Sequence, residues 1–328
     1  MNTSQVTARD STLQTTFRSM ATDVTLRVER PTADAPSALE NARQVFSRVE
    51  SACTRFDPDS PLMRANARPD RWHAVPAELA RAVRAAARAH RETRGLFDPR
   101  ILETLLRLGY DRTLPFEAGN LTLEQDPGIA PPHHQAAQRA WRPRVDCRGG
   151  QHRIHLDGTP IDLGGIGKGL AVRWAWEQLR YAGDSVMVDA GGDCRFSGPG
   201  PEGEGWRAGV EDPRGGTDPV AVLVLFDTGC ATSSVRIRHW RVANKTVHHL
   251  IDPRTAESGG EGLLSVSVVH PDPARAEVWS KTLFLSGAAG IAAAAADHGQ
   301  AAVWVGTDGT LGISDAAEAY VSWTAAHD

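Results

Sequence analysis

The chain has 328 residues, 41% of them hydrophobic and 23% charged, with 36 basic against 40 acidic side chains for a net charge of −4. This is the balance of a globular protein with room for a large core, and it excludes a general electrostatic attraction to nucleic acid. No apolar run is long enough to span a membrane, the polar start of the chain has no signal-peptide core, and Cys53, Cys147, Cys194 and Cys230 form no CxxC pair; a cytoplasmic protein without membrane insertion, zinc knuckle or thiol redox motif is expected.

Residues 1–14 read as a loose N-terminal segment and 15–328 as a single domain. Within 17–29, Val24, Leu26 and Val28 alternate as in a strand. From 37 to about 52, Leu39, Ala42, Val45, Phe46 and Val49 recur at helical spacing, and Phe56-Asp57-Pro58-Asp59-Ser60-Pro61 then makes a turn-rich loop. A second helix is predicted from 76 to about 94. It turns Leu79, Val83 and Ala87 inward, leaves Arg81, Arg84, Arg88, Arg91 and Arg94 on a wet face, and stops at Gly95. Residues 111–160, rich in proline, glycine and charge, read as a variable connection with a short strand at 153–156.

The run Ile161-Asp162-Leu163-Gly164-Gly165-Ile166-Gly167-Lys168-Gly169-Leu170-Ala171 sets four glycines around one lysine, and a helical pattern continues to about 180. Bare amides, a helix N-terminus and an ammonium together suit an anion, with phosphate the obvious guest. It is not a P-loop, because Gly169 follows the lysine where a hydroxyl is required. It is not a dinucleotide fingerprint either, because Leu170 stands at the third glycine position. A plain strand-to-helix turn with a solvated lysine fits it as well.

Further on, a strand at 185–188 ends in Asp189-Ala190-Gly191-Gly192, which reads either as ligand-facing backbone or as a hairpin. Strands are predicted at 206–210, 220–226, 239–242, 264–269, 301–305 and near Tyr320, and helices at 274–285 and 287–298. The order lacks strict βαβ alternation and favours an α+β or mixed α/β architecture. In His248-His249-Leu250-Ile251-Asp252-Pro253-Arg254-Thr255, a histidine can move a proton, an aspartate can orient it or a hydroxyl, and an arginine can fork onto phosphate.

Jointly these tracts resemble the FAD:protein FMN transferase family, the ApbE-type flavin transferases. The likeness covers about 17–284. It rests on Met20-Ala21-Thr22, Pro58-Asp59-Ser60 with Asn66, Gly95-Leu96-Phe97-Asp98-Pro99, the 162–171 tract, residues 189–192, Trp206 with Asp212-Pro213, Ala231-Thr232-Ser233 and the run 249–255. It implies an α+β, ApbE-like fold of mixed sheets flanked by helices, with a flavin cleft between two lobes. It implies an enzyme that binds FAD with magnesium at the pyrophosphate and moves FMN onto a Thr or Ser hydroxyl of a partner protein, releasing AMP. By the same resemblance His249 is the proton acceptor, and Lys168 with the amides around Gly165 and Gly167 holds flavin or phosphate. Phe56 stands where a ring stacks on adenine, and Met20, Asp98, Asp189, Gly191, Asp252 and Arg254 join the cofactor site. Asp252 has a second reading as the cap of the turn before Pro253.

The metal pattern departs from the family. Its backbone-carbonyl position falls on Gly167, but its aspartate is Glu277 and its threonine is Lys281. A glutamate can still reach a cation, whereas a protonated lysine cannot ligate one. By the resemblance Gly167 and Glu277 are the expected metal ligands, and Lys281 is expected either to occupy the cation's place, paired with Glu277 one helical turn away and available to the pyrophosphate, or to turn outward as a surface residue. Arg173, Ser234-Val235 and Ala256 also depart, Ala256 replacing a glycine. These departures leave two alternatives to transfer: a flavin-binding protein that carries or matures FAD or FMN, and a hydrolase that splits FAD into FMN and AMP.

Overall fold

The alternation of Val24, Leu26 and Val28 belongs to a strand at the heart of a nine-stranded sheet, and all three side chains are buried against helices. The computed structural model describes residues 5–9 (backbone only), 11–114, 116, 121–123, 140–242 and 245–325; much of the expected variable connection lies outside the described residues. In spatial order the sheet runs Gln5–Arg9, Thr12–Ser19, Thr22–Glu29, Ser185–Ala190, Asp193–Ser197, Gly229–Ser234, Leu263–His270, Ala301–Gly306 and Leu311–Ile313, each neighbour antiparallel. The segment expected to be loose thus contributes a strand, with Gln5 opposite Thr16.

The sheet has an apolar set on each face, as it must when both faces are covered. Helices Ala35–Cys53, Ala77–Glu92 and Gly167–Leu179 pack on one. On the other lies a three-stranded sheet of Trp206–Glu211, Pro219–Leu225 and Val321–Thr324. Helix Pro273–Phe284 joins the first core through Ala274 and Val278 and a smaller one through Trp279, Leu283 and Phe284. The five arginines predicted on the wet face between 81 and 94 are exposed. Among the described residues no helix is long and apolar enough to cross a membrane.

Two local expectations change. The single strand predicted over 17–29 is a hairpin whose turn is Met20-Ala21, both with positive φ, 52° and 59°. No glycine or asparagine announces that turn, so the sequence pattern gives no break. The glycine tract does not precede its helix but enters it: the helix begins at Gly167, and Gly169 lies in its first turn.

Ala256 also holds a left-handed backbone, φ 57°, at a position where the resembling family has glycine. A β-carbon there opposes the conformation by about 1 kcal/mol. Ala256→Gly is therefore expected to raise unfolding stability by roughly 0.5–1 kcal/mol, read from denaturant midpoints. A drop in the midpoint would show that the left-handed conformation is not retained.

Candidate functional site

A cleft of about 540 Å³ opens where the large helical core meets the smaller cores around Leu250 and Tyr110. Its lining includes Met20, Glu50, Arg55, Phe56, Asp98, Asp162, Gly165, Gly167, Lys168, Arg238, His249 and Lys281. Residues from seven separate stretches of chain are thus brought together, among them the glycine tract and the histidine on which the sequence reading rests.

The tract is held from behind. Asn66, buried at the end of helix Pro61–Asn66, donates Nδ2–H to the Ile161 carbonyl at 2.8 Å and accepts the Ile161 amide at 2.9 Å. Ser60 caps that short helix through the Met63 amide at 3.1 Å and donates to the Thr54 carbonyl. These residues of the expected pattern therefore fix the tract rather than touch a ligand.

The glycines serve close packing. A β-carbon on Gly169 would lie 2.6 Å from Ala274 Cα, so its absence lets helices Gly167–Leu179 and Pro273–Phe284 cross in contact. The Gly169 amide donates to Glu277 Oε2 at 2.8 Å, and the Gly167 amide donates to the Leu163 carbonyl at 2.8 Å. Much of the helix N-terminus expected to meet a phosphate is thus already satisfied by the protein, partly by the carboxylate of Glu277. Lys168 Nζ donates to Asp193 Oδ2, and Asp193 is buried. Burial opposes the lysine's charge, but Asp193 and Glu277 outweigh it and push its pKa up. Lys168 is consequently a paired cation at the cleft wall and not a solvated one.

Asp189 and Gly191 are not in the cleft lining. They form the turn of the hairpin Ser185–Ala190 to Asp193–Ser197, where Gly191 and Gly192 both have positive φ and Asp189 Oδ1 accepts the Gly192 amide at 2.9 Å. The motif thus takes the hairpin form. Its contribution to the site is indirect, since it delivers Asp193 to Lys168.

Asp252 and Arg254 also lie off the lining and bond each other. Asp252 Oδ1 accepts the Arg254 amide at 2.8 Å and Oδ2 accepts Arg254 Nη2 at 2.6 Å. The Arg254 guanidinium, expected to fork onto phosphate, here bonds the aspartate two residues back and the Leu285 carbonyl. Asp98-Pro99-Arg100 and Asp212-Pro213-Arg214 repeat the geometry, with Asp Oδ1 accepting the arginine amide at 2.9 Å in both. A proline-rigidified turn brings the two charges together whatever surrounds it. Asp98 nevertheless lines the cleft, buried and held by Arg100.

Arg55, Glu50 and Arg238 are among the cleft side chains not singled out in the sequence. Arg55 pairs with Asp162 at 3.2 Å, and its guanidinium lies 4.2 Å from the Phe56 ring centre and 4.3 Å from that of Tyr110. Its Nη2 is a buried donor with no protein partner among the described residues. Glu50 accepts Ser19 Oγ–H at 2.7 Å and the Met20 amide at 2.9 Å, which fixes the strained turn at the cleft mouth. Arg238 comes to the cleft because its carbonyl accepts the amide of His249 at 3.4 Å at the open end of the hairpin His239–Val242 to Lys245–His248. Adjacency to Phe56 could have flagged Arg55; nothing local flags Arg238.

His249 Nδ1 lies 3.3 Å from the Arg238 carbonyl, and among the described residues Nε2 has no protein partner. Burial, reinforced by the nearby charges of Arg238 and Lys281, drives its pKa well below the usual histidine value. Its imidazole is neutral at neutral pH, with Nδ1 as donor and Nε2 free to accept a proton.

The metal position does not suit magnesium. That ion takes an octahedron of oxygens, but Glu277 has one oxygen on the Gly169 amide and the other 3.2 Å from Lys281 Nζ. Gly167, opening the helix, directs its carbonyl along the helix toward the amide four residues on. Thr282 offers no substitute, since its hydroxyl donates to the Val278 carbonyl at 2.8 Å. Among the described residues no group of three or more His, Cys, Asp or Glu could hold a metal ion.

The family model described as the ApbE family matches residues 20–304. A protein of Haemophilus influenzae named FAD:protein FMN transferase is 25% identical over 268 residues, covering 78% of this chain and 74% of that one. Its counterpart of the same name from Chlamydia pneumoniae is 28% identical over 255 residues, covering 73% of each. The crystal structure of the ApbE protein of Thermotoga maritima superposes with a TM-score of 0.74 at 23% identity, covering 98% of this chain and 99% of that chain, a likeness of fold.

Proposed function

Because this chain belongs to the ApbE family, we propose that it is an FAD:protein FMN transferase working in the cleft between the glycine tract and His249. The observation that carries the reading is a neutral histidine with a free ring nitrogen in the same cleft as that tract.

The flavin lies in the cleft with its diphosphate toward Lys168, Gly165 and Lys281, and the exposed Phe56 ring is available to a planar group. A Thr or Ser hydroxyl of the acceptor protein attacks the FMN phosphorus. The new P–O bond forms as the bond to the bridging oxygen breaks, and AMP leaves with that oxygen. His249 accepts the hydroxyl proton at Nε2, so the attacking oxygen gains charge only as the bond forms.

Incubation with FAD and a candidate acceptor peptide, followed by mass spectrometry, tests the reading. The expected products are one FMN on a peptide Thr or Ser and one AMP. AMP and free FMN without modified peptide would instead indicate hydrolysis, and unchanged bound FAD would indicate carriage.

A further inference from the structure

Lys281 lines the cleft beside Gly165, Gly167 and Lys168, where the site is unsuited to a divalent ion. Its side chain is 17% exposed while its partner Glu277 is fully buried. A methyl group added at Gly165 would lie 3.4 Å from Lys281 Cδ, so the lysine stem runs across the glycine tract and brings Nζ to the cleft. Glu277 is committed on both oxygens, to the Gly169 amide and to Lys281. It orients the ammonium while leaving other N–H bonds of Nζ free, since an ammonium has three.

Arg238 is the second cation. It lines the same cleft, and among the described residues its guanidinium forms no ion pair, whereas Lys168 and Arg55 are matched by Asp193 and Asp162. Two cations from different elements therefore face one cavity with donors to spare, and such an arrangement suits a diphosphate, which carries two negative charges and several acceptor oxygens.

We propose that Lys281 and Arg238 form a built-in cationic clamp for the diphosphate of a flavin dinucleotide, so that this protein binds FAD without a divalent metal ion. The inference rests on the reading of the cleft as an FAD site. A mobile ion would have to displace the Lys281 ammonium or be repelled by it, whereas the ammonium is already fixed by a buried carboxylate at no further ordering cost.

Calorimetric titration of the whole protein with FAD, once in EDTA and once in magnesium chloride, tests this. The expected dissociation constants agree within about twofold. Binding more than about tenfold weaker in EDTA overturns the clamp. No FAD binding in either buffer overturns the underlying reading of the cleft, a result distinct from the first.

Lys281→Met and Arg238→Met are each expected to weaken FAD by about tenfold or more, the equivalent of one charge-assisted hydrogen bond, and to leave riboflavin, which has no phosphate, nearly unchanged. Lys281→Arg should recover part of the loss. An equal loss for riboflavin and FAD would show that these residues only support the fold and would overturn the proposal.

Discussion

Replacing His249 by alanine is expected to slow FMN transfer by about 10²- to 10⁴-fold, the contribution of a positioned general base, while FAD affinity changes little. The ring belongs to the cleft wall and not to the cationic clamp, so its loss removes a proton acceptor without removing a diphosphate contact. Initial rates of AMP release, paired with calorimetric titration of FAD, separate the two quantities. A variant that transfers FMN at a rate within a few-fold of the unaltered protein would sink the assignment. The direction of the pKa shift adds a pH signature. Because burial and the nearby cations depress it, the imidazole stays neutral when the pH falls through the usual histidine value near 6.5, and the acidic limb of the rate profile should begin below that point. An acidic limb at or above it would mean that the histidine is more solvated than its setting implies.

The second large effect concerns stability. Lys168→Met should destabilise the fold by about 3–5 kcal/mol, the usual result of removing one member of a buried ion pair. Asp193 is 1% exposed and has Lys168 as its ion-pair partner, so the variant strands a carboxylate away from water. The double substitution Lys168→Met with Asp193→Leu should recover most of that loss, since replacing both partners by apolar groups is often nearly neutral. Denaturant unfolding of the two variants decides the point. Had the lysine been a solvated phosphate ligand alone, the single variant would unfold like the starting protein. The contrast with Lys281 is instructive, because both lysines face the same cleft and both are paired. Lys168 is tied to an aspartate arriving from the adjacent hairpin, whereas Lys281 is held by a carboxylate on its own helix.

Much of the scaffold was legible because its causes are local. Strand alternation at Val24, Leu26 and Val28 and helical spacing through Leu39, Ala42, Val45, Phe46 and Val49 each describe a face that must be buried, and each is buried. The Met20-Ala21 turn was not legible, because two residues without glycine's freedom hold left-handed backbone and Glu50 accepts the Met20 amide from 30 positions away. Of the three Asp-Pro-Arg turns, only that at 252–254 was read from the sequence as a capped turn and as a phosphate fork. Each arginine finds its aspartate two residues earlier, and a charge so close competes effectively with any distant phosphate.

The sequence by itself determined most of the elements, which depend on side-chain periodicity, and the family, which depends on residue types within its motifs; that the glycine-lysine tract shares a site with the histidine was only implied by that resemblance. Only the tertiary structure decided which groups remain available to a ligand. Gly169 lends its amide to Glu277, 108 positions on, and Lys168 gives its charge to Asp193, 25 positions on. Arg238 and Lys281, one beside a hairpin and one on a helix, keep donors facing the cleft. A buried polar group takes whichever partner packing brings within about 3 Å, and that choice is made by the whole fold.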